Sequence, residues 1–122
     1  MKHGRFTILA VLLIILGGCA SAAPPTPVTS IDPLVGKWKG TVNIGRRVDF
    51  IYVTIEPDRT LIATWADITT RGTVTISGGQ ATYQMAPPPQ EGTLKLYTDK
   101  GKRQLYMENL NGAFSAVVEP GS

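Results

Sequence analysis

Lys37-Trp38-Lys39-Gly40-Thr41-Val42-Asn43-Ile44, then Gly45-Arg46-Arg47, then Val48-Asp49-Phe50-Ile51-Tyr52-Val53-Thr54-Ile55-Glu56 is the stretch that decides the fold. In its first segment the apolar Trp38, Val42 and Ile44 alternate with Lys37, Lys39, Thr41 and Asn43. A period of two is the signature of a half-buried strand. A short glycine-containing turn follows, and then a second run rich in β-branched and aromatic residues. Two strands joined this tightly pair antiparallel.

The same grammar repeats to the end of the chain. Further strands are expected at Leu61–Ala66, Thr73–Ser77, Ala81–Ala86, Thr93–Thr98, Gln104–Asn109 and Ala113–Val118. Pro57-Asp58, Gly78-Gly79, Pro87-Pro88-Pro89, Asp99-Lys100-Gly101 and Asn111-Gly112 supply turn chemistry between them. No window carries a helical stripe. The expectation is an all-β domain, a short up-and-down antiparallel meander of about eight strands, closed as a barrel or flattened as a sandwich. A related pentad occurs at Gly40–Ile44, Gly72–Ile76 and Gly92–Leu96, with unequal spacing, so it is not a solenoid repeat. Each copy reads as a strand start in which Gly permits close approach, Thr faces out and the aliphatics face in.

Leu34-Val35-Gly36-Lys37-Trp38-Lys39-Gly40-Thr41 resembles the G-x-W opening of lipocalins and other calycins. The resemblance implies an eight-stranded barrel in which Gly36 and Trp38 are structural closure residues. The last strand, Ala113–Val118, lacks the arginine that lipocalins place over this tryptophan, and the chain is shorter than theirs. Strands of about six to eight residues, at roughly 3.3 Å each, make a low cylinder. Trp38, Val42, Trp65, Tyr83, Leu94, Leu96 and Phe114 are expected to fill it. A small ligand then has room only at the rim.

Up-and-down topology sorts the loops. The end where the chain enters carries the turns near Pro57, Gly78 and Lys100; the other end carries the longer loops at Arg46–Arg47, Asp67–Arg71, Pro87–Glu91 and Leu110–Gly112. Binding residues favour loops on a rigid scaffold. The candidate binding surface is accordingly Arg46, Arg47, Asp67, Arg71, Gln90 and Glu91, and charged loop tips that merely keep the domain soluble are the competing reading. Lys100, Lys102 and Arg103 are expected at the entry end, as solubilising charge or as weak contacts to anionic headgroups.

Upstream of the strands, Lys2, His3 and Arg5 precede an apolar run, Phe6–Leu16, of signal-sequence length. Leu16-Gly17-Gly18-Cys19 resembles the lipobox of bacterial lipoprotein precursors. It implies a signal peptide over residues 1–18, acyl chains on Cys19 and a lipid-anchored protein of the bacterial cell envelope. In a Gram-negative host, Ala20 after the cysteine favours the outer membrane, facing the periplasm. Ala20-Ser21-Ala22 also fits ordinary secretory cleavage, which would discard Cys19, and an uncleaved anchor is a third route. Residues 19–33 are expected to form a separate Pro-rich linker, reaching about 40 Å if extended as polyproline II, with the barrel domain over 34–122.

Processing changes the chemistry available. Loss of Lys2 and Arg5 leaves ten basic residues against nine acidic, so nucleic-acid binding loses its support. The only histidine, His3, leaves as well, and Cys19 is the only cysteine. Histidine acid–base work, thiol catalysis, zinc and disulfides are not expected. No spacing among the nine carboxylates suggests a paired-carboxylate cleft. The reading is a non-enzymatic module with no cofactor, no metal and no catalytic residue. It binds the membrane through Cys19 and a protein partner through its loops. The alternatives are a small apolar-ligand carrier and an envelope lysozyme or protease inhibitor; Tyr97-Thr98-Asp99-Lys100-Gly101 resembles a loop of lysozyme inhibitors.

Overall fold

A computed structural model describes residues 24–121. The leader, Leu16-Gly17-Gly18-Cys19 and the start of the linker lie outside the described residues. Eight strands follow in order: β1 (Gly36–Ile44), β2 (Arg47–Ile55), β3 (Thr60–Trp65), β4 (Ile68–Ser77), β5 (Gln80–Ala86), β6 (Gln90–Asp99), β7 (Lys102–Asn109) and β8 (Phe114–Pro120). Each pairs antiparallel with its sequence neighbours, and β1 pairs with β8, so the meander closes into a barrel. The only helical element described is a 3-10 turn at Asp32–Leu34.

All eight expected strands are present, but β4 and β6 begin well before their expected starts. β4 begins at Ile68 rather than Thr73, and β6 at Gln90 rather than Thr93. Ile68-Thr69-Thr70 has strand chemistry without an apolar alternation to announce it. Gly72, read as a strand start, sits inside β4.

The three pentad glycines lie within strands rather than at their starts. Gly40, Gly72 and Gly92 occupy inward positions where a Cβ would lie 1.9, 1.8 and 1.9 Å from the carbonyl oxygens of Val117, Gln84 and Glu108. Only glycine lets neighbouring strands come this close, and in a barrel such sites mark sharp bends. After each glycine the expected alternation holds: Val42, Val74 and Leu94 point inward and are buried. The pinches on β1, β4 and β6 keep the barrel narrow, and side chains fill it. Trp38, Trp65, Tyr83, Leu105, Met107 and Phe114 are among the buried core, with Trp65 and Phe114 packed edge to face at 5.2 Å.

The chain before β1 is part of this fold. Thr26 bridges to Leu96 on the stretch of β6 that extends past β5, with its N–H donating to the Leu96 carbonyl at 2.6 Å. The Val28 N–H donates to the Gly79 carbonyl at 2.9 Å. Val28, Ile31 and Leu34 are buried in the main core. Residues 26–34 thus form a strap across the entry end, and the folded domain begins by Thr26 instead of at Leu34. The separate-linker reading is corrected for this part: two aliphatics in a Pro-rich segment suffice to dock it, because proline-stiffened chain has less entropy to lose on ordering.

Trp38 and Arg103 lock the strap. The Trp38 indole N–H donates to the Leu34 carbonyl at 2.9 Å. Arg103 on β7 donates to the Pro33 carbonyl at 2.9 Å, with its guanidinium 5.3 Å from the centre of the Trp38 ring. An arginine therefore does cover the tryptophan, from the penultimate strand rather than the last. Arg103 is a packing residue rather than free solubilising charge, whereas Lys100 and Lys102 are exposed.

Candidate functional site

At the end opposite the strap, the β1–β2, β3–β4, β5–β6 and β7–β8 connections form an open rim. Inward-facing Ile44, Arg47, Asp49, Ile68 and Gln90 are only partly covered here. Ile44, Arg47, Asp49, Trp65, Ile68 and Gln90 take part in lining a cleft of about 200 Å³. Its wall is apolar, and its mouth carries an ion pair, with an Arg47 guanidinium nitrogen 3.1 Å from an Asp49 carboxylate oxygen.

One polar chain reaches down from the rim. The Tyr83 hydroxyl donates to Asn109 Oδ1 at 2.8 Å, and the Asn109 amide donates in turn to Gln90 Oε1. Burial first, and the Glu108 carboxylate second, push the Tyr83 phenol far above the ordinary tyrosine range. It stays a neutral donor and fixes the orientation of the Asn109 amide, which fixes Gln90. Thr70, also facing inward on β4, is buried with no hydrogen-bond partner for its hydroxyl.

The candidate residues read from the sequence separate into two groups. Arg47 and Gln90 meet at the cleft, Arg46 adjoins Arg47 in the β1–β2 turn, and Asp67 adjoins the cleft residue Ala66. Arg71 and Glu91 are not loop residues. Arg71 lies within β4, opposite Ile62 and Ala86, and Glu91 lies within β6, opposite Gln84. Both sit on outer walls because β4 and β6 extend further toward the rim than their apolar patterns indicate.

A wider concavity, about 520 Å³, lies elsewhere. It runs along the strap where residues 25–28 pass Gly78–Ala81 and Thr93–Lys95. Among the described residues Lys95 is its one charged lining residue. It is the seam beside a docked segment and lacks the convergent polar groups of the rim.

A third surface was not anticipated. Val48, Phe50 and Tyr52 are 65, 74 and 59% exposed, side by side on the outer face of β2. The signal lies in the sequence itself: Val48, Phe50–Val53 and Ile55 make β2 apolar on both faces. Such a strand is normally covered on both sides. Here only the inward set, Ile51, Val53 and Ile55, has a cover.

Among the described residues no three of His, Cys, Asp and Glu come together as a metal site, and no helix is long and apolar enough to cross a membrane. No family model, characterised protein or solved structure matches this chain.

Proposed function

We propose that this chain is a lipid-anchored cell-envelope lipoprotein, acylated on Cys19, whose barrel is a binding module for another envelope protein. The filled interior carries the binding half of this reading. With Trp38, Trp65, Tyr83, Met107 and Phe114 occupying the barrel, recognition falls to the exterior. The rim gathers Arg46, Arg47, Asp67 and Gln90 around an apolar cleft. Leu16-Gly17-Gly18-Cys19 carries the anchoring half. At least two acyl chains make attachment lasting, since one alone is marginal.

Each half has its own test. Mature protein should show acyl mass on Cys19, and Cys19→Ser should stall processing; normal release of that variant cut after Ala22 refutes anchoring. A photo-crosslinker placed at Asp67 in intact envelopes should give a discrete protein adduct that is lost in Arg47→Glu. No adduct across growth conditions refutes rim binding.

The cleft favours one second reading, capture of a small molecule with an apolar body and a polar head. The apolar part would meet Ile44, Trp65 and Ile68, and the head would meet Arg47, Asp49 and Gln90. At about 200 Å³ the cleft is below the roughly 300–1,000 Å³ of most ligand pockets, so it admits only a small molecule. Native mass spectrometry of protein purified from its host would show a retained small molecule, and none retained counts against the reading.

A further inference from the structure

The outward positions of the strands divide the barrel by charge. On β1 to β4 they include Lys37, Lys39 and Arg71 and not one carboxylate. On β6 to β8 they include Glu91, Asp99, Glu108 and Glu119 against Lys95 and Lys102. Each wall also shows apolar surface. The cationic wall has Val48, Phe50 and Tyr52, with Tyr52 opposite Lys39 in the ladder. The acidic wall has Tyr97 and Tyr106 packed edge to face at 5.0 Å, with Tyr106 41% exposed and Val117 opposite it.

We propose that the β1–β4 wall of one molecule docks on the β6–β8 wall of a second copy of this chain. The charges decide the geometry. A two-fold contact of the cationic wall with itself would bring Lys37, Lys39 and Arg71 against the same residues, with Glu119, opposite Lys39 across the β1–β8 seam, the one acid facing any of them in the ladder, and like charges facing each other across an interface are costly. Front against back, the lysines and Arg71 meet an excess of carboxylates, and Phe50 and Tyr52 meet Tyr97 and Tyr106. Aromatic surface at the centre with opposite charges around it is the usual anatomy of a protein contact. β2 and β6 stand four strands apart in the eight-stranded ring, so both walls are free at once. A head-to-back contact of this kind leaves a free front and a free back at its ends, so it arranges molecules in rows, or in a ring where the rotation closes. The strap meets β6 near the entry end, at Leu96, and leaves the middle of both walls uncovered. The rows need neither the rim cleft nor the anchor.

The test uses the full chain in its own host. The photo-crosslinking amino acid p-benzoylphenylalanine replaces Phe50, whose side chain is too exposed for the change to disturb folding. Irradiation should give a species of twice the chain mass, with the crosslinked peptide mapping to β6–β8 of the second copy. The same amino acid in place of Gln84, on the neutral outer face of β5, should give none. Tyr52→Glu blocks the front and Tyr106→Arg blocks the back; each variant expressed alone should lose at least tenfold in adduct. Co-expression should restore the adduct, because the back-blocked chain keeps an intact front for the front-blocked chain's intact back. An adduct that maps to β2 of the second copy, an adduct only to lipid or to a different protein, no adduct, or no restoration on co-expression each overturns the proposal. Repeating the experiment in Cys19→Ser separates it from anchoring: the adduct persists whether or not the chain is acylated.

Discussion

Substituting alanine at the three pinch glycines tests what keeps this barrel narrow. At Gly72 the new methyl would sit 1.8 Å from the Gln84 oxygen and 2.6 Å from both Cα and Cβ of Met85. An ordinary contact needs more than an ångström of additional room, so β4 and β5 must separate and strain their ladder. Overpacking of this kind costs typically about 1–3 kcal/mol and sometimes more. The stiffer unfolded chain of an alanine variant returns about 0.4–1 kcal/mol. With the clash against backbone rather than a movable side chain, the upper part of the range applies, and we expect a net loss of about 2–3 kcal/mol. Gly40→Ala and Gly92→Ala face the same obstacle and should behave alike. Gly45 and Gly112 are the controls. Their φ angles are +61° and +73°, and an added Cβ meets nothing within 4 Å, so alanine there costs only the left-handed conformation, about 1–2 kcal/mol, less the same return. Urea unfolding followed by tryptophan fluorescence gives the comparison. With a slope of about 1–3 kcal/mol per molar, the pinch variants should lose roughly 1–2 M in midpoint. Equal losses in the pinch and control sets would refute the account of a barrel narrowed by glycine.

Four further outcomes follow from particular contacts. Arg103→Met removes the charged donor to the Pro33 carbonyl and the contact over Trp38, and should cost about 2 kcal/mol in the same urea assay. Val28→Asp puts an unpaired charge under the strap and should speed proteolytic cutting before Gly36, while the barrel strands resist. Thr70→Val replaces an unpartnered buried hydroxyl with a methyl of similar shape and should raise stability by about 1 kcal/mol. Tyr83 has its phenol pKa raised in the fold, so its stabilising effect is complete below the unfolded value near pH 10 and is lost as pH climbs above it. Tyr83→Phe should flatten that alkaline loss in a pH series of thermal midpoints.

The strands were legible because one face of each carries its own record. Inward Val42, Ile51, Leu61, Tyr83, Leu94, Leu105 and Phe114 must be apolar to fill the barrel, and the turn residues mark where the chain reverses. Legibility failed where burial did not act on sequence. The first half of β4 and of β6 reach the rim, where Gln90 is only partly buried and need not be apolar and where Thr70, though buried, is polar, so the apolar pattern fades before the strand ends. The strap was missed for the opposite reason. Its composition is that of an extended linker, and Val28 and Ile31 acquire meaning only once the end of a barrel stands open beside them. Arg103 reads as hairpin charge until the fold sets it against Trp38.

The candidate surfaces divide along the same line. Arg46, Arg47 and Asp67 were found by topology alone, since parity of an up-and-down barrel assigns each turn to an end whatever its residues are. The outer face of β2 needed a different question, namely what each apolar residue is covered by. Inside a closed barrel every strand has one face to bury, so an apolar residue at an outward position is not explained by the fold. Val48, Phe50 and Tyr52 are three such residues at successive outward positions on one strand, each at least 59% exposed. Isolated exposed apolar side chains are ordinary, but a contiguous exposed apolar row is an interaction surface or an aggregation hazard. The cations beside it, Lys37, Lys39 and Arg71, limit that hazard by repelling a second cationic wall, and the same repulsion leaves an acid-rich surface as the row's complementary cover. Replacing Phe50 and Tyr52 with threonine should therefore leave the barrel's unfolding midpoint within about 0.5 kcal/mol of the parent while abolishing self-association. A large loss of stability in that double variant would show that the row serves the monomer, and the reasoning from uncovered surface to partner would fail.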